Sequence, residues 1–346
     1  MRNFKYIFPA VSLLFFACVK DKPNDIMHPE VSIGSGSKVY VTSEGIFGLN
    51  NAAVSLYEPA SGNVVSDIYK SQNNNAALGD VCQSINKINN KYYVVVNNSG
   101  KIAVLNSMDF KLITNITGLQ SPRYILPVTF NKAYVSDLYA NAISIIDLNT
   151  NTKTGSIPCS GWTEQMAVIY NKAFVTNNYS RYAYVINTIT DQITDSIHVG
   201  KYAGSIVIDK NSKIWVLSAG DSPNSIVGTL TRIDPVTLNV EASLQFGSTD
   251  SPGSLCINAT KDTLYFLNKN VYRLPINSTT LPGSAFITSS ALNIFYGLAV
   301  SDKDYNVYLS DAIDYTQQSS ILVYSPNGTL KTSFKAGINA SNFYFE

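Results

Sequence analysis

Eight carboxylates fall where this chain should turn: Glu44, Asp80, Asp137, Glu164, Asp221, Asp250, Asp311 and Asp314. Two of them flanking a glycosidic bond could cleave it, one as acid and the other as nucleophile or base. The sequence brings no two together, and an Asp at a turn ordinarily caps backbone N–H groups. Catalysis is therefore not expected. Cysteine and histidine add no reactive pattern. There is no Cys-x-x-Cys, and His28 and His198 stand alone, so no transition-metal site is predicted. Cys82 and Cys256 lie in segments far apart in order and, with Cys159, are expected to be free thiols packed as small hydrophobes. No Gly-x-Ser-x-Gly elbow, phosphate loop or His-Glu-x-x-His occurs, and no cofactor is implied.

Binding is the stronger reading. Loops between strands carry exposed-type aromatics mixed with amides and a few charges. The candidate ligand-binding set is Phe47, Asn50, Asn97, Arg123, Tyr139, Trp162, Glu164, Gln165, Tyr179, Tyr182, Tyr202, Asp221, Tyr296, Asp314 and Tyr315. Flat rings beside neutral donors and acceptors suit a neutral ligand bearing amides or hydroxyls. Arg123 can bind an anion or pair with an acid such as Glu164. The chain has 25 basic and 24 acidic residues, and only 14% are charged. That excludes the basic stripe a nucleic-acid binder needs and the charge density of a disordered chain.

The elements that must position these residues repeat. An aromatic followed by apolar residues recurs at Tyr40, Tyr93, Tyr134, Phe174, Trp215, Tyr265 and Tyr308. A period of roughly 40–45 residues built from short strands predicts a β-propeller, here with seven four-stranded blades. Each repeat opens on a segment rich in Gly, Ala, Ser and Pro: residues 79–84, 121–125, 163–167, 203–207, 251–255 and 296–300. Small residues fit where inner strands crowd an axis. Asn-rich or Asp-rich turns such as Asn89-Asn90 and Tyr170-Asn171 then lead to the aromatic strand. The strand around Tyr40 has no inner segment before it, and residues 336–346 resemble the missing one. The tail should therefore close the ring on the first blade. No amphipathic helix is predicted after the leader.

The N-terminus reads separately. A short basic start precedes an apolar run from Tyr6 to Ala17, too short to span a membrane as a mature helix. It ends in Phe15-Phe16-Ala17-Cys18, which resembles a bacterial lipobox and implies a signal peptide over 1–17 with lipid on Cys18. Residues 18–36 read as a flexible tether, and 37–346 as the propeller.

The repeats resemble the YncE-like, YVTN-type seven-bladed propellers through Tyr40-Val41-Thr42, Tyr134-Val135-Ser136 and Phe174-Val175-Thr176-Asn177. More closely, the chain is similar to the cobalamin-binding (BtuG-type) surface lipoproteins of gut bacteria. The phrases that carry this include Thr42-Ser43-Glu44-Gly45, Leu78-Gly79-Asp80-Val81, Ser121-Pro122-Arg123-Tyr124, Thr163-Glu164-Gln165-Met166, Tyr296-Gly297-Leu298 and Asp311-Ala312-Ile313-Asp314-Tyr315. The resemblance implies a non-enzymatic protein at the outer face of the outer membrane. Its ligand would be cobalamin or a related corrinoid, and its partner a TonB-dependent outer-membrane transporter. It does not extend to individual contacting side chains. The alternative is a propeller scaffold for protein–protein interaction in the cell envelope.

Overall fold

The computed structural model describes residues 36–346, so the expected leader, Cys18 and the tether as far as residue 35 lie outside the described residues. Seven antiparallel sheets form, and strand order within each follows the predicted inner-to-outer path. The aromatic strands Val39–Ser43, Lys91–Val96, Lys132–Asp137, Lys172–Asn177, Ile214–Ser218, Thr263–Asn268 and Val307–Asp311 are second from the axis in every blade. Sandwiched between a strand on either side and a sheet on either face, they read as nearly unbroken apolar runs. Their aromatics are buried between blades, with Trp215, Tyr40 and Tyr134 wholly enclosed.

The inner strands are Cys82–Ile88, Pro122–Pro127, Thr163–Ile169, Ala203–Ile208, Gly253–Ile257, Phe295–Val300 and Ala340–Phe345, and each touches the next around a complete ring. Crowding there is literal. A Cβ on Gly297 would lie 2.5 Å from the Ser341 carbonyl oxygen of the neighbouring inner strand, so only glycine lets these two backbones meet.

Closure follows the predicted route. Ala340–Phe345 is the inner strand of the first blade and pairs with Val39–Ser43, Tyr344 opposite Tyr40. Its boundary differs from the expectation, because the last outer strand, Leu330–Ile338, runs further than predicted and Asn339 makes the turn at φ 55°.

Two expectations need correction. The sixth blade has three strands, Gly253–Ile257, Thr263–Asn268 and Asn270–Pro275. Residues 276–294 contain Pro282, Gly283 and many Ser and Thr, without the alternation a strand needs. They cover the blade's edge through one isolated bridge, where the Val271 N–H donates to the Ile287 carbonyl at 3.0 Å. A short helix, Ile68–Gln72, occupies part of what was expected to be an inter-blade loop. Asp67 caps it by accepting from the Lys70 N–H at 3.0 Å, and Ile68 and Tyr69 are buried. Five residues are too few to show a helical period.

Candidate functional site

Every inner strand breaks register with its aromatic neighbour at the same place, immediately after its first residue. A bulge there takes the second residue out of the alternation of the sheet and re-aims its side chain. The seven residues so placed are Gln83, Arg123, Glu164, Gly204, Ser254, Tyr296 and Ser341. They gather at the channel mouth.

Their sizes divide the opening. Arg123 fills one side, donating to both Glu164 oxygens at 2.8–3.2 Å and to Gln83. Trp162 donates from its indole N–H to the same Glu164 carboxylate, and the Arg123 guanidinium lies 5.7 Å from the indole ring centre. Gln83 also donates to the Tyr124 hydroxyl at 3.3 Å. Beyond Gly204, Ser254 and Ser341 the space stays open. A cavity of about 360 Å³ is left there, lined also by Gln165, Asn178, Tyr202, Leu217, Leu255, Leu298 and Asn342. A larger cavity, about 590 Å³, opens among turns at the other end of the first two blades. Its Lys38 and Lys87 are tied to Glu346, and none of the loop aromatics reaches it.

Glu44 completes the cluster, accepting from the Tyr296 hydroxyl at 3.0 Å. Tyr315 meets Tyr296 edge-on, ring centres 5.9 Å apart. Burial pushes the Glu44 carboxyl above the ordinary carboxylate range, and the Tyr296 hydroxyl and nearby Arg123 only partly oppose this. The fold therefore holds the Glu44 proton more tightly than the unfolded chain does. The stabilisation is complete below the unfolded pKa and is lost as pH rises through the folded one. Glu44→Gln should consequently raise the melting temperature relative to the parent more at pH 7 than at pH 4. Equal differences at both values would mean that Glu44 is solvated.

The predicted residues separate into groups. Trp162, Glu164, Gln165 and Tyr202 line the axial cavity, with Arg123 and Tyr296 adjoining it. Tyr139 and Tyr179 stand at a second opening, between the third and fourth blades, which shares Trp162. Phe47 and Asn50 are exposed on the first blade's loop. Four others make structural contacts. Asn97 is buried and donates to the Pro122 carbonyl at 3.0 Å, clamping the second blade to the third. Asp221 is buried against Lys201 and accepts from the Asn224 amide at 2.8 Å. Asp314 caps its own loop by accepting from the Thr316 and Gln317 N–H groups at 2.9 Å. Tyr182 packs edge-on against His198, 5.5 Å away.

Gln83, Tyr124, Gly204, Ser254 and Ser341 were absent from the sequence-based set. The signal that could have found Gln83, Gly204, Ser254 and Ser341 is positional, the second residue of each inner strand, and Tyr124 follows directly on Arg123. Among the described residues, no group of three His, Cys, Asp or Glu could hold a metal. Burial holds the Cys159 and Cys256 thiols up at about 12, and Cys82 is also raised. The three are free and unreactive as thiolates.

The family described as Domain of unknown function (DUF5074) matches residues 37–345. The chain belongs to this family. No curated protein matches it. Among solved structures, the DUF5074 domain resembles a quinonprotein alcohol dehydrogenase-like protein from Bacteroides thetaiotaomicron, with 14% identity, 90% of this chain and 78% of that one covered, and TM-score 0.71. It also resembles a functionally unknown protein from Desulfotomaculum acetoxidans (12% identity, 90% and 99% covered, TM-score 0.69). A third is apo AztD from Citrobacter koseri (8% identity, 90% and 98% covered, TM-score 0.58). At these identities the likeness is one of fold: a seven-bladed propeller whose distant relatives differ in function.

Proposed function

We propose that this DUF5074 propeller is a non-catalytic capture protein that grips a neutral, amide-bearing ligand at the axial mouth, and that the ligand is a corrinoid. The observation that carries the reading is the cavity lining, which sets serines and amides among Leu217, Leu255, Leu298 and three aromatic side chains. Its one carboxylate, Glu164, is already held by Arg123 and Trp162 and is not free to act as a nucleophile or base. Neutral polar groups on a firm apolar wall orient a ligand by hydrogen bonds while contact area supplies affinity.

A cavity of about 360 Å³ is smaller than a corrin ring with its side arms. One amide arm would enter, and the macrocycle would lie across the rim, where Phe47 and Tyr315 are exposed. The resemblance to cobalamin-binding surface lipoproteins supports this ligand. It also supports anchorage through Cys18 at the outer membrane and transfer to a TonB-dependent transporter.

Gly204 offers a clean test. It borders the cavity, its φ is unexceptional, and a Cβ there would meet only the Asn178 side chain at 3.5 Å. Gly204→Phe should therefore fold normally and fill the cavity. Titration calorimetry should show cyanocobalamin binding to the parent protein and at least tenfold weaker binding to this variant. Absence of heat at micromolar ligand with the parent sinks the corrinoid reading.

A further inference from the structure

The second opening on the same face meets the axial cavity only at Trp162. Two loops in adjacent blades have the same construction. Asp137 accepts from the Tyr139 and Ala140 N–H groups, both at 2.9 Å. Asn177 accepts from the Tyr179 and Ser180 N–H groups at 2.8 and 2.9 Å. Each turn raises one tyrosine into solvent, Tyr139 63% and Tyr179 80% exposed. Between them runs Ser160-Gly161-Trp162, pinned from both sides. The Gly161 N–H donates to the Asn141 side-chain oxygen at 2.9 Å, and the Asn177 amide donates to the Ser160 carbonyl at 2.8 Å. Gly161 has φ +92°, and a Cβ there would lie 2.9 Å from the Tyr179 Cβ, so the floor must be glycine.

The result is a pre-formed cleft of about 400 Å³, walled by two tyrosines and an indole and open to solvent. No charged side chain lines it. Neither tyrosine ring stacks on another ring among the described residues. Yet polar groups abound: the Asn141 amide N–H₂, the Ser160 hydroxyl and both tyrosine hydroxyls have no intramolecular partner among the described residues. Large exposed rings carried on hydrogen-bonded turns beside unused neutral donors and acceptors mark a binding surface rather than a packing defect.

We propose that this cleft is a second binding site, for the rings of a neutral oligosaccharide. A pyranose presents an apolar C–H face that packs on tyrosine and tryptophan, and a rim of hydroxyls that needs uncharged partners of both kinds. The open ends let a linked chain continue into solvent. Lack of any counter-charge disfavours anionic and cationic ligands, which would lose hydration without compensation. The inference does not depend on the corrinoid reading, because the axial cavity shares only Trp162 with the cleft.

The chain carries its own reporter. It has 2 tryptophans, and Trp215 is wholly buried, so quenching of emission by iodide reads Trp162. The full chain would be titrated with cellotriose, maltotriose and chitotriose, with adenosine as a flat neutral control, and followed by quenching and by saturation-transfer NMR. At least one sugar should protect Trp162 and receive saturation at its ring protons. Tyr139→Ala with Tyr179→Ala should weaken that binding at least tenfold, whereas Gly204→Phe should leave it unchanged. The proposal is overturned if none of the three sugars binds, if the double alanine variant binds as tightly as the parent, or if adenosine binds and the sugars do not. Cyanocobalamin titrated into the double variant keeps the two readings separable.

Discussion

Deleting residues 340–346 should abolish the cooperative thermal transition of the propeller. Those residues form the inner strand of the first blade and the contact between its neighbours' inner strands. Tyr344 sits among Tyr40 and Tyr92 with ring centres 6.0–6.5 Å away, and Phe345 lies 5.1 Å from Tyr308 of the seventh blade. Ser310 donates to the Ala340 carbonyl at 2.6 Å, stitching the seventh blade to the first. Glu346 binds Lys87 and Tyr92 of the second blade. Burying one large apolar side chain is worth about 1.5–3 kcal/mol, so three half-buried aromatics supply on the order of 4 kcal/mol. That is a large part of the roughly 5–15 kcal/mol by which a domain is stable. The deletion also uncovers the edge of Val39–Ser43, a template for aggregation. Circular-dichroism melts and gel filtration check this. A truncated protein melting within a few degrees of the parent would mean that the ring does not depend on its closing strand.

Replacing Arg123 alone by methionine should cost about 3–5 kcal/mol, because it leaves the buried Glu164 carboxylate without its main counter-charge. Glu164 is only 4% exposed. Arg123 meets it side-on with two nitrogens, the geometry that makes guanidinium–carboxylate pairs strong. Removing both charges is a different matter. Arg123→Met with Glu164→Leu should recover at least half of the loss, since an apolar pair of similar bulk can replace a buried ion pair at little net cost. Urea unfolding of the two variants and the parent decides the point. A single variant losing less than about 1 kcal/mol would show that channel water already solvates Glu164.

Much of the architecture could be read directly. The aromatic strands announced themselves because a strand enclosed on both faces and both edges has no solvent side on which to carry polar residues. The turns were legible for a similar reason: Asn89, Asn90 and Asn171 adopt φ between 48° and 62°, which asparagine tolerates. The sixth blade was less legible. Residues 276–294 occupy the space of a fourth strand without its pattern, and only the fold shows that Ile287 and Phe286 cover the edge.

The candidate site was legible only in outline. Local chemistry placed aromatics and amides on loops that meet at one face. It could not tell which were free, because Asn97, Asp221 and Asp314 look like ligand-binding residues but are spent on structure: Asn97 on the neighbouring blade, Asp221 on Lys201 and Asp314 on its own loop. Nor could it assemble Gln83, Arg123 and Glu164, which are about 40 residues apart along the chain and belong to three blades.

The order of residues along each repeat thus determined the blades, their number and the strand that closes them, since those features depend on periodicity and turn chemistry within a few tens of residues. The tertiary structure decided the rest: which side of the axis is filled, which acids are neutralised, and where two separate openings lie. Those depend on bulges that redirect one side chain per blade, and on which side chains from different blades then meet in space.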